Sequence, residues 1–129
     1  PVLKNLRNLF KNNSRHKLIE HGWYKHEEFT EVVRKMDIGL QVSFTETFNI
    51  VAADFVNNNL PVIVSDEITW VSNLYKAEPT ESKSIINKLY LGLFFKKFNL
   101  QYLSKIKLWW YSLKSEKDWV QYIEKEKQS

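Results

Sequence analysis

Cysteine is missing from all 129 residues, so neither a disulfide scaffold nor a thiolate metal site can form. That suits a reducing compartment. His16, His21 and His26 sit five residues apart, which does not put them on one helix face. No HExxH-like pattern surrounds them, and no metal site is expected. Long hydrophobic runs are also lacking. The longest, Leu89–Phe95, has seven residues, too few to cross a bilayer. No signal-peptide pattern is visible, so the expected location is cytoplasmic. Internal repeats and low-complexity segments are absent. Acidic excess is missing too, and the net charge of +4 is unevenly placed. Residues 1–95 are neutral, while residues 96–129 hold eight lysines against four acids. The basic balance therefore belongs to the tail and does not by itself imply nucleic-acid binding.

What remains is a globular composition, 43% hydrophobic and 26% charged, in a chain of single-domain size. Pro1–Lys11 reads as a helix, with Val2, Leu3, Leu6, Leu9 and Phe10 at helical spacing. His16–His21 reads as a short strand closed by Gly22. Phe29, Val32, Val33 and Met36 form the apolar stripe of a second helix, with Glu27 and Glu28 in its first turn and Arg34 and Lys35 in its last. Ile38–Val42 is apolar at nearly every position, as a strand covered on both faces should be. A helix over Thr47–Val56 follows, stopped by Asn57-Asn58-Asn59, and Pro61 opens a strand over Val62–Val64. Ile68–Val71 reads as a short helical turn and Lys76–Glu78 as a brief extended piece. Thr80 or Ser82 then caps a helix through Leu89. From Leu100 onward the chain reads as helical, with Ser115 capping a last helix over Glu116–Lys127 that buries Trp119, Val120 and Ile123.

Strands alternating with helices predict an α/β fold: a partial Rossmann-like parallel sheet of three to four strands in order of appearance. Helices should cover both faces. Residues 1–95 would form this unit, and residues 96–129 a helical extension packed on it.

Ligands of such sheets sit past the carboxyl ends of the strands. The loop Ser43-Phe44-Thr45-Glu46 leaves such an end, and the helix after it offers unpaired backbone N–H groups that favour a phosphate. Glu46 and Asp54 are eight residues apart, about 12 Å along a helix, comparable to the reach from ribose to sugar in a bent nucleotide-sugar. Asp54 lies among Val51, Ala52, Ala53, Phe55 and Val56, and an acid in so apolar a helix needs a partner or a ligand.

The runs GWYKHEEF (Gly22–Phe29), DIGLQVSFTETFNIVAAD (Asp37–Asp54) and LPVIVSD (Leu60–Asp66) together resemble the donor-binding domain of GT-B glycosyltransferases. The likeness is to the large retaining group that includes sucrose-phosphate synthases and bacterial polysaccharide transferases, and it covers roughly residues 1–90. It implies a metal-independent transfer of a sugar from a nucleotide-diphosphate sugar, with no further cofactor. By resemblance Glu46 is the catalytic-site carboxylate, bonding hydroxyls of the transferred sugar. Ser43 closes the strand, and the backbone at Thr47, Phe48, Asn49 and Ile50 meets the distal phosphate. Asp54 holds the ribose hydroxyls, while Gly22 and Trp23 lie where the base is placed. Asp54 stands where the family has a Glu, about 1.5 Å longer in reach. Asn49 stands where the family usually has Gly.

The family's first two strands, its Arg and Lys diphosphate clamp and its acceptor domain have no counterpart in these residues. The resemblance therefore implies a fragment, a truncated relative, or a donor-domain remnant. Two functions follow: the donor-binding portion of a glycosyltransferase, or a non-catalytic interaction module. Losing the first strands would leave open sheet edges, so self-association is expected. Residues 94–113 are rich in aromatics and lysine. They read as a core-covering helix or as an interfacial helix at an anionic membrane. Clustered aromatics argue against nucleic acid as a partner.

Overall fold

In a computed structural model, residues 1–45 and 48–128 are described. The fold is α/β with a three-stranded parallel sheet. Element order is α1 (Val2–Lys11), α2 (His26–Arg34), β1 (Gly39–Gln41), α3 (Ile50–Asn57), β2 (Val62–Ser65), a 3-10 turn (Asn73–Tyr75), β3 (Lys76–Ala77), α4 (Ser82–Lys96) and α5 (Tyr102–Gln128). The strands lie in order of appearance. Gly39 pairs with Val62 and Gln41 with Val64, and Val64 pairs in turn with Lys76.

Helices cover both sheet faces. On one side α3 presents the small residues Ala52 and Ala53 with Val56, all buried, and rests Phe55 on Gly39. On the other, Gly92 lets α4 come close to Ile38, Ile63 and Tyr75. Every residue of β2 is buried, and the core gathers around it with Ile68, Trp70, Val71, Tyr75 and Ala77. The left-handed stop expected after α3 falls at Asn59, with φ 60.

Several expectations need correction. Residues 16–21 form no strand. Asn13 Oδ1 accepts from the backbone N–H of Arg15 and His16, and the segment runs exposed with no ladder beside it. In its absence β1 lies at the sheet edge, and Leu40 is 52% exposed rather than covered on both faces. Helix α3 begins at Ile50 rather than Thr47, because Asn49 is its N-cap and accepts from Ala52 N at 2.8 Å.

Neither Thr80 nor Ser82 caps α4. Glu81 holds that position, Thr80 donates its hydroxyl proton to Glu78, and the helix continues past Leu89 to Lys96. Ser115 caps nothing, since it lies inside the 27-residue α5. Trp119, Val120 and Ile123, expected to be buried, are exposed because α5 runs beyond the body that would cover them.

Candidate functional site

The parallel topology places one end of the sheet for ligand binding, and two hydroxyls sit there without partners. Ser65 closes β2, and Ser43 lies two residues past the end of β1. The Oγ atoms of both are shielded from solvent and have no hydrogen-bond partner among the described residues. Each is the kind of donor that a bound polar group would satisfy. Lys76, beside Val64 at the carboxyl half of β2, carries positive charge to the same end. Burial pushes its pKa down, the charge of Lys107 pushes it further, and Asp66 opposes both. Lys76 and Lys107, two cations that disfavour one another, form an electrostatic setting that an anion would relieve.

Asp54 is held on the neighbouring helix. Its side chain is 14% exposed, and Oδ1 lies 3.1 Å from Nε2 of His26. His26 opens α2, which runs down to the start of β1, so its first turn faces the carboxyl ends of the strands. The half-buried acid thus finds its partner toward the carboxyl ends of the strands, and His26 supplies at one oxygen the partner that an acid in so apolar a helix needs, a ligand being the other expectation. His26 itself is largely exposed. Sequence reasoning missed this pairing, since His26 and Asp54 lie 28 residues apart. Ser65 was also missed. Its signal was a small polar residue ending an apolar strand.

Of the other expected site residues, Glu46 and Thr47 lie outside the described residues. Asn49 is buried and its side chain is committed to the α3 cap. Ile50 is exposed. Phe48 turns its ring toward the tail, stacking on Tyr111 at 5.9 Å and lying 5.5 Å from Trp70. Gly22 has open space around it, and Trp23 is fully exposed at 103%, so Trp23 is not a packing residue. Trp23 lies three positions before His26, whose bond to Asp54 ties the end of this loop to α3.

A cleft of about 580 Å³ lies elsewhere. It runs between α3 and α5 and includes Phe48, Ala53, Leu108 and Trp109, with Lys105 as its one cation. That lysine is already bonded to Asn57 O and Asn59 Oδ1. Among the expected site residues that are described, only Phe48 lines it, so the shielded hydroxyls and Asp54 lie outside this cleft.

No family model matches this chain, no curated protein matches it, and no solved structure matches it.

Proposed function

We propose that this chain is the donor-binding portion of a glycosyltransferase, taking a nucleotide-diphosphate sugar at the carboxyl ends of β1 and β2. The observation that carries the reading is the pair of shielded hydroxyls without partners among the described residues, Ser65 at the end of β2 and Ser43 just past the end of its parallel neighbour β1. Lys76 and Lys107 add charge suited to a diphosphate. Asp54 keeps a second carboxylate oxygen for ribose hydroxyls while His26 steadies the first. Glu46 would meet the sugar. Transfer to an acceptor hydroxyl would need a second protein surface facing this one, because catalysis in such a fold takes place in a cleft between two domains.

Titration of the isotope-labelled chain with UDP, GDP and their sugars tests the reading. Expected are amide shifts at residues 43–54 and near Ser65, weakened at least about tenfold by Asp54→Ala. Silence toward every nucleotide removes the donor reading. The alternative, a non-catalytic interaction module, draws support from the exposed apolar side chains of α1 (Val2, Leu3, Leu6 and Leu9), which bury nothing.

A further inference from the structure

A surface helix ordinarily buries an apolar stripe and shows a polar one. The first half of α5 does the reverse. Toward the body it turns Ser104, buried and accepting from the backbone N–H of Ser72, together with Lys105 and Leu108. Just before the helix, Gln101 is buried as well. Outward it turns Tyr102, Leu103, Ile106, Trp109 and Trp110, all exposed, with Trp110 at 63%. At 100° per residue these five fall within a sector of about 120°, an uninterrupted apolar band. Phe94 and Phe98, exposed and edge-to-face at 5.4 Å, lead into it from the end of α4.

The charge around this band has one sign. Residues 82–115 contain seven lysines and no acid. Lys88, Lys105 and Lys107 turn their ammonium groups to neutral oxygens of the body, while Lys97, between Phe94 and Phe98, and Lys114, one turn past Trp110, are exposed. Among the described lysines of this stretch, Lys96 reaches a carboxylate, Asp37, at 3.5 Å. Indole and phenol rings beside aliphatic side chains, in a stretch whose own charges are all lysine, match the boundary between hydrocarbon and anionic headgroups. No helix among the described residues is long and apolar enough to cross a membrane, so the band would lie in the surface plane.

We propose that the outer face of α5 from Tyr102 to Trp110, with Phe94 and Phe98, seats this protein on an anionic lipid bilayer. The proposal does not depend on the donor reading. Unlike the Ser43–Ser65 end of the sheet, this surface binds through exposed rings and ammonium groups.

The test uses the whole chain with phosphatidylcholine vesicles, with and without phosphatidylglycerol. Co-sedimentation is expected to be at least about tenfold tighter with the anionic lipid and to fall with added salt. A blue shift of tryptophan emission should accompany it. Trp109→Ser/Trp110→Ser is expected to abolish the shift and most of the binding. Lys97→Glu/Lys114→Glu should remove the preference for anionic lipid. All four side chains are exposed, and circular dichroism confirms that the variants stay folded. Equal binding to neutral vesicles, or none to either, overturns the proposal. So does equal affinity for a DNA duplex, or a chain that buries these tryptophans by self-association instead.

Discussion

Gly39 fixes how closely α3 approaches the sheet, and adding one methyl group tests this packing. A Cβ at Gly39 would stand 2.8 Å from both Cδ1 and Cε1 of Phe55 and 3.0 Å from Cγ. Carbon atoms prefer about 3.5–4.0 Å, so the ring must retreat by close to 1 Å. The strand cannot yield easily, because Gly39 N donates to Pro61 O at 2.9 Å and the residue pairs with Val62. Overpacking of this kind costs about 1–3 kcal/mol. Replacing glycine returns about 0.4–1 kcal/mol by restricting the unfolded chain. Phe55 is half-buried and can turn partly aside, which places the net loss for Gly39→Ala near 1 kcal/mol.

Urea unfolding followed by circular dichroism should show it as a lower midpoint with an unchanged slope. Phe55→Leu alone should cost about 1 kcal/mol through lost ring contacts. Combined with Gly39→Ala, it should remove the clash, leaving a double variant about 1 kcal/mol better than the sum of the singles. Strict additivity, or a single Gly39→Ala variant as stable as the parent, would refute the close approach of α3 to β1.

Tyr75 is buried with its hydroxyl unpartnered, and burial raises its pKa to about 12. Its folded pKa exceeds its ordinary one, so the stability tied to the neutral phenol is complete below pH 10. That stability is lost as the pH rises through about 12, by about 2–3 kcal/mol in all. Tyr75→Phe should flatten this alkaline loss and match or exceed parental stability at pH 7, as read by thermal melts across pH. Asn59→Gly should cost about 1 kcal/mol, the bond from Lys105 alone, whereas Asn59→Ala should cost about 1 kcal/mol more because its backbone is left-handed. Denaturant midpoints of the two variants separate these contributions. Lys76→Met should weaken nucleotide-diphosphate binding about tenfold or more and reduce its salt dependence, measured by calorimetry, while leaving adenosine or uridine binding unchanged.

The sheet was readable where single residues carried their meaning locally. An unbroken apolar run announced β2, and asparagine announced the stop at Asn59. A phenylalanine–valine stripe announced α2. The tail was misread because its orientation depends on partners remote in sequence. Of the two readings of residues 94–113, the core-covering helix would turn its apolar face inward, yet the bond between Ser72 and Ser104, 32 residues apart, turns another face to the body and leaves Leu103, Ile106 and Trp110 exposed. The strand over residues 16–21 had suitable residues but no neighbour to pair with. At the site, Ser43 and Asp54 were recognised from their places at a strand end and in an apolar helix. Their settings, a shielded hydroxyl without a partner among the described residues and a bond to His26, arise only once separate elements meet.

The attachments of α5 are crowded toward its beginning. Ser104, Lys105 and Lys107 make polar bonds to the body, and Tyr111 makes its last ring contact with the body among the described residues. Beyond Tyr111 the helix continues to Gln128, about 25 Å of rigid rod. Trp119 and Tyr122 on that length are exposed, and the contacts of the inner part of α5 put it beside Asn57, Asn59 and Phe48, on the flank of the helix that carries Asp54.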